Sequence, residues 1–315
     1  MAMTLGVDIG GTKIAAGMVA DDGSIVAMSR RDTPASDPDA IEATVAEIIE
    51  DLIAEHAVSG VGIAAAGFVS EDRSAVRFAP NIAWRERPIA QALKARTGID
   101  VVVENDANAA AWAEYRFGAG RGHEHVTMVT LGTGLGGGII IGGRLLRGAH
   151  GAAAEIGHVR AVPDGRQCGC GNRGCWEQYI AGRALEREAE ERATADPDWA
   201  PGLLQLAAGH PDGITGPMVT ELAMAGDSDL VALLAEYGRR VGAFVASMVA
   251  VLDPAVVVIG GGVSKAGDLL LGPAQEGFLA QLSARGHRPA AEIRLAELGN
   301  AAGLVGVADL ARTRS

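Results

Sequence analysis

Cysteine is nearly absent from this chain of 315 residues: it has 3, all within Gln167-Cys168-Gly169-Cys170-Gly171-Asn172-Arg173-Gly174-Cys175. An odd number of clustered thiols is a poor basis for disulfides in a reducing compartment and a good one for a metal. Positive charge is also short, with 27 Lys and Arg against 39 Asp and Glu and a net charge of −12. That argues against nucleic acid and anionic membrane as partners, since both need an excess of Lys and Arg. A negative chain can still hold ATP through local backbone N–H groups and Mg²⁺. Long apolar runs are missing. The best candidates, residues 244–252 and 255–259, are interrupted by Asp253-Pro254, so no membrane span is expected. The N-terminus lacks a basic segment followed by an apolar one, so no signal peptide is expected and a cytoplasmic location is. Aromatic residues are only 4%.

What is abundant is glycine, 44 residues, about twice the ordinary share, so glycine turns are expected to matter. With 48% hydrophobic and 21% charged residues, the chain has the makings of a substantial core, divided over two domains of ordinary size. Residues 5–8 predict a strand, Gly10-Gly11 a turn, residues 12–19 a second strand, Asp21-Asp22-Gly23 a turn, and residues 24–29 a third strand. Next comes a helix that Ser36 or Asp37 can cap, with Pro38 in its first turn and Ile41, Val45, Ile48, Ile49, Leu52 and Ile53 on one face. Residues 61–66 and 101–103 read as buried strands of an α/β sheet. A second strand–turn–strand–turn–strand pattern at residues 126–146 echoes the first. Two copies of one unit predict a duplicated α/β architecture of two lobes with a cleft. Residues 196–216, rich in Pro and Gly, predict a long surface connection; residues 230–251 a helix; residues 256–259 a strand ending in Gly260-Gly261-Gly262. A last helix at residues 301–312 is expected to return to the first lobe. The expected division is a small lobe at 1–108, completed by 297–315, and a large lobe at 109–296.

Asp8-Ile9-Gly10-Gly11-Thr12-Lys13 is neither a P-loop nor a dinucleotide fingerprint, because the spacing is wrong and a strand follows where a helix should. A glycine hairpin can still present backbone N–H groups and a Thr hydroxyl to phosphate oxygens, with Asp8 holding Mg²⁺ through water. Alone it is equally a ligand-free turn. Gly132-Thr133-Gly134 and Gly260-Gly261-Gly262 make three glycine turns at strand ends, which together predict a nucleotide site. In Glu104-Asn105-Asp106-Ala107-Asn108, Asp106 is a natural N-cap for a helix from Ala107. The polar cluster is denser than a cap requires, however, and sits at a carboxyl edge of the sheet, where ligands bind.

The cysteines lack a fourth ligand, and His158, ten residues before Cys168, is the nearest histidine, with His150 the other choice. A Cys₃His set of His158, Cys168, Cys170 and Cys175 predicts one structural zinc ion. Glu155 and Glu177 flank this knuckle. Carboxylates and an imidazole held at fixed separation suit a polyhydroxylated ligand such as a sugar.

In order, DIGGTKI, ENDANAAA, LGTGLGGG, EIGH, CGCGNRGCWEQY and VVVIGGGVSKAGD resemble the ROK family (repressors, uncharacterised frames and sugar kinases) over nearly the whole chain, and within it the bacterial glucokinases. The resemblance implies the duplicated actin-like, hexokinase-like, ribonuclease H-like ATPase fold. It implies Asp106 as catalytic base, and Asn105, Glu155, His158 and Glu177 as sugar-binding residues, joined by Gly67 and Asn81. Gly10, Gly11, Thr12, Lys13, Thr133 and Gly134 fall in its phosphate motifs, and Gly261 and Gly262 in its adenosine motif. Ala66 and Ser70 depart from its usual pattern, which often has Pro before the glycine and an acidic residue three beyond it. The expected activity is ATP-dependent phosphorylation of a hexose, glucose foremost, by a homodimer or tetramer. Alternatives are N-acetylglucosamine, N-acetylmannosamine or fructose as acceptor, and polyphosphate as donor. A sugar-responsive repressor is disfavoured, because the first strand begins at Leu5 and leaves no room for a helix-turn-helix domain.

Overall fold

A computed structural model describes residues 3–313. It opens with a meander of β1 (Met3–Ile9), β2 (Lys13–Val19) and β3 (Ile25–Asp32), paired antiparallel in succession. Helix α1 (Pro38–Glu55) starts where local chemistry says it should. Asp37 Oδ1 accepts from Asp39 N and Ala40 N, Pro38 fills the first turn, and Ile41, Val45, Ile48, Ile49 and Leu52 are buried. Strand β4 (Val58–Ala65) follows, then the short strands β5 (Phe68–Val69), β6 (Val76–Phe78) and β7 (Arg85–Arg87), which form a separate small sheet. Helix α2 (Ile89–Thr97), strand β8 (Val101–Asn105) and helix α3 (Asp106–Phe117) complete this stretch. The main sheet has the order β3-β2-β1-β4-β8, with β1, β4 and β8 parallel.

The second half repeats that plan. Strands β9 (Val126–Leu131), β10 (Leu135–Ile141) and β11 (Arg144–Leu145) precede helices α4 (Glu177–Ile180), α5 (Gly182–Ala195), α6 (Pro201–Leu206), α7 (Gly216–Met224) and α8 (Ser228–Leu252). Strand β12 (Val256–Gly260), helix α9 (Asp268–Gln281), strand β13 (Glu292–Leu295) and helix α10 (Ala302–Thr313) close the chain's elements. The order β11-β10-β9-β12-β13 mirrors the first sheet, with β9, β12 and β13 parallel. The expected open connection at residues 196–216 is instead partly helical. Pro201 begins α6, whose Leu203 is buried, and a 3₁₀ turn forms at Pro211–Gly213. Proline composition hid this helix, since proline at a first helical position is no obstacle.

Two compact units result. The first takes residues up to Glu124, Gly138–Ala154 and from Glu297 onward; the second takes His125–Gly137 and Glu155–Ala296. Residues 109–124, which the sequence assigned to the large lobe, group with the first unit because α3 packs on α10. Helix α10 is buried along almost its whole length. Gly6 on β1 and Gly62 on β4 are register partners that together clear a seat for it. A Cβ on Gly6 would lie 2.0 Å from the Leu304 carbonyl oxygen, and one on Gly62 2.0 Å from that of Val307. Glu114, fully buried on α3, fastens the approach to α10: its carboxylate accepts from Leu298 N at 2.8 Å, Ala119 N at 2.9 Å and Glu297 N at 3.2 Å. Among the described residues, no helix is long and apolar enough to cross a membrane.

Candidate active site

In the first unit, β1 runs out at Ile9 into a tight turn where Gly10 N donates to Lys13 O at 2.9 Å. Thr33 braces it from outside, its hydroxyl donating to Gly10 O at 2.8 Å and its N–H to Thr12 O at 3.0 Å. Thr12 and Lys13 stand exposed at the tip, and Gly11 lies against Asn81, whose Cβ would be 3.2 Å from a Cβ at Gly11. Burial, and secondly the negative charge of Asp106, push the Asp8 carboxyl up to about 7. A buried carboxyl whose ionisation is further opposed by a neighbouring carboxylate is a place that a divalent cation would relieve.

The sequence left Asp106 open to capping or to chemistry, and the structure gives the cap to its neighbour. The cap is Asn105, extended at φ −63° and ψ 142°, whose Oδ1 accepts from Asn108 N at 3.0 Å. Its Nδ2 donates to Gly67 O at 3.1 Å. An amide can do both at once; a carboxylate cannot. Asp106 is thereby released from capping and becomes the first residue of α3, its Oδ1 accepting from the adjacent Ala107 N at 2.9 Å. Burial raises its carboxyl above the ordinary range. Gly67 has φ 136°, and a Cβ there would lie 2.1 Å from Phe78 O, so only glycine fits whatever precedes it.

In the second unit, the turn after β9 is closed by Gly132 N donating to Gly134 O at 3.1 Å, with Thr133 exposed. Gly182 N, opening α5, donates to Gly132 O at 2.7 Å. Gly261, at φ 87°, follows β12 so closely that a Cβ would sit 2.5 Å from Leu131 O; Gly262 then starts a 3₁₀ turn. These two glycine turns are therefore neighbours at one end of β9 and β12.

The cysteine run folds into a knuckle held by Cys168 N to Asn172 O at 2.8 Å and Gly174 N to Arg166 O at 2.8 Å. His158, at the end of a 3₁₀ turn, points Nδ1 at Cys168 Sγ, 3.7 Å away, while Cys170 and Cys175 sulfurs are 3.7 Å apart. The four donor atoms lie within 4.8 Å of one another, and His150 is not among them. Zinc–ligand bonds of about 2.0–2.3 Å set tetrahedral edges near these separations, so type, number and spacing fit a closed zinc site. Burial pushes the Cys168 thiol up to about 12 and raises Cys175. For Cys170 desolvation pulls upward, yet hydrogen bonds from the Asn172 backbone and the other two thiols outweigh it. The far nitrogen of His158 is 3.9 Å from Glu155 Oε2. Glu177 links the knuckle to the Gly132–Gly134 turn, with Oε1 3.5 Å from Cys168 Sγ and Oε2 accepting from Leu135 N at 3.3 Å.

The family model described as ROK family matches residues 4–314. The chain belongs to the ROK family. A glucokinase from Streptomyces coelicolor is 51% identical over 312 residues, 99% of this chain and 98% of its own. One from Thermotoga maritima is 36% identical over 274 residues, 86% of each chain. Among solved structures, a ROK family glucokinase from Streptomyces griseus in complex with glucose and AMPPNP aligns with a TM-score of 0.90 at 50% identity, covering 99% of this chain and 100% of that one. The repeated strand order is that of the duplicated actin-like ATPase fold shared by ROK sugar kinases.

The ROK motif residues thus fall into two sets. The first unit brings together Asp8 with Asp106, Gly11 with Asn81, and Asn105 with Gly67. The second brings together Glu155 with His158, and Glu177 with Cys168 and the turn of Thr133 and Gly134. Sequence reasoning missed Arg73 and Arg147, which close on buried Glu104. No local signal marks them, because each is a single arginine outside helix and strand.

Proposed function

We propose that this chain is an ATP-dependent glucokinase, transferring the γ-phosphoryl group to the 6-hydroxyl of glucose and yielding glucose 6-phosphate and ADP. The observation that carries the reading is the full-length match to a ROK glucokinase that holds glucose and an ATP analogue. Phosphoryl transfer is mostly positioning and charge stabilisation, and the chain's groups divide that work. Asp106, whose carboxyl burial raises above its ordinary value and which is not the helix cap, takes the hydroxyl proton. Asn105, Gly67, Asn81, Glu155, His158 and Glu177 hold the sugar. Gly10, whose N–H closes the turn on Lys13 O, presents the backbone N–H of Gly11, which with that of Gly134, the Thr12 and Thr133 hydroxyls and Lys13 binds the phosphates. Gly261 and Gly262 leave room for adenosine. Asp8 would hold, through water, the magnesium that neutralises phosphate charge when ATP is bound. His158, Cys168, Cys170 and Cys175 would hold zinc, which braces the loop carrying Glu155 and Glu177. The same reading takes the enzyme to act in the cytoplasm as a homodimer or tetramer.

A coupled assay of ADP release tests this across glucose, fructose, N-acetylglucosamine and N-acetylmannosamine, with ATP and polyphosphate as donors. The highest kcat/KM is expected for glucose with ATP. A higher value for an N-acetylhexosamine would replace glucose as the substrate.

A further inference from the structure

Glu104 is the residue before the cap, and no part of it reaches solvent. Its Oε2 lies 3.0 Å from Arg73 Nε and 2.8 Å from Arg147 Nε, on side chains only 13% and 12% exposed. Its Oε1 accepts from Asn105 N at 3.0 Å and from Asn108 Nδ2 at 3.2 Å. One carboxylate between two guanidiniums leaves the trio with a surplus positive charge inside the protein. Burial, and then repulsion from Arg147, hold the Arg73 guanidinium below its usual value. Such a set is a poor choice for stability alone, since apolar side chains of like volume commonly do as well.

What the trio does achieve is geometry, because each member grips a different piece of backbone. Arg147 donates from Nη1 to Glu71 O at 2.6 Å and from Nη2 to Ser70 O at 2.9 Å. Arg73 accepts at its carbonyl from Val103 N at 2.9 Å, while its own φ of 59° is a left-handed conformation that a non-glycine residue adopts only when held. Ser70 Oγ accepts from Ser74 N and Ala75 N, which makes the turn between β5 and β6 a closed piece. That turn continues from Gly67, and Gly67 O is what Asn105 Nδ2 grips. The departure at Ser70 is therefore a turn-closing residue in this chain.

We propose that Glu104, Arg73 and Arg147 are positioning residues for the sugar side of the site. Through them the end of β8 and the turn after Gly67 move as one piece, so that the Asn105 amide, the Gly67 backbone and the Asp106 carboxylate keep one mutual arrangement. The inference rests on the glucokinase reading for what that arrangement receives.

Two variants test it, with KM for sugar and for ATP measured separately and thermal unfolding alongside. Arg147→Lys keeps the charge beside Glu104 but loses the fork that reaches two carbonyls. Its KM for glucose is expected to rise about tenfold while that for ATP stays within about twofold. Glu104→Gln is expected to raise KM for glucose and lower kcat about 10- to 100-fold in the folded protein, as small displacements of reacting groups do. Equal rises in both KM values, or an Arg147→Lys enzyme with wild-type KM for glucose, would overturn the proposal. So would a Glu104→Gln protein that unfolds at lower temperature yet keeps wild-type constants while folded. The wild-type control separates the two readings: if it prefers another hexose, the glucokinase reading falls and the same comparison is made with that hexose.

Discussion

Replacing Asp106 by Asn exchanges an ionisable oxygen for an amide of the same shape at the first position of α3. Because Asn105 supplies the cap and the amide oxygen of Asn can still accept from Ala107 N, the exchange preserves the first turn of the helix. Its effect on stability comes from charge. The folded-state pKa of Asp106 lies above its unfolded value, so its ionisation costs stability as pH rises from the unfolded value through the folded one. Asn removes that cost, and the variant should match wild type in acid and exceed it at neutral pH. Asp8 provides a scale: its move from 3.8 to about 7 corresponds to about 4 kcal/mol, of which Asp106 is the smaller cause after burial. Removing Asp106 should therefore return less than about 2 kcal/mol through Asp8, with the Asp8 pKa falling. Turnover should go the other way, by about 10²–10⁴-fold, because an amide cannot accept the hydroxyl proton. Wild-type kcat/KM should fall on the acid side with an apparent pKa above the usual carboxylate range, and in the variant that limb should shift to lower pH, only the share of Asp8 remaining. Coupled ADP-release rates from pH 5 to 9 and urea melts at each pH supply both readouts. An Asp106→Asn enzyme keeping more than about a tenth of wild-type turnover would remove Asp106 from the chemistry.

Elemental analysis should find about one zinc per chain, lost in Cys170→Ala together with most activity. Because burial raises Cys168 and Cys175, zinc uptake should release protons and weaken on acidification; a zinc-free wild type at full rate would refute the brace. Gly62→Ala places a methyl 2.0 Å from the Val307 carbonyl oxygen and should cost about 1–3 kcal/mol by urea denaturation, as overpacking does. An unchanged midpoint would mean that α10 is not seated on β4 as described.

What could be read from the sequence is what local chemistry decides. Asp37 and Pro38 fix the start of α1 by bonds that span at most three residues. The knuckle was legible because its three thiols are adjacent and a fourth donor had to be near. Asp106 was as good a cap candidate as Asn105 because Asn and Asp cap equally well, and the choice depends on a carbonyl 38 residues away at Gly67. The grip of Arg73 and Arg147 on Glu104 spans 31 residues in one direction and reaches past α3, β9, β10 and β11 in the other, and periodicity carries no trace of it. Gly6 and Gly62 look like weak points in their strands until α10 is placed on them.

The seat of α10 also bears on the order in which the chain acquires structure during synthesis. Strands β1 and β4 leave the ribosome early, yet the helix that covers their glycines is made last, after the whole second unit. Until then the Glu114 carboxylate lacks two of its three N–H partners, those of Glu297 and Leu298. The first half would wait as an open sheet with an uncovered apolar face, the condition in which nascent domains meet chaperones or one another. The second unit, whose segments from Glu155 to Ala296 are continuous apart from His125–Gly137, can finish first. A contact between residues some 300 positions apart, such as Arg312 Nη2 to Thr4 Oγ1 at 2.8 Å, then marks completion of the fold.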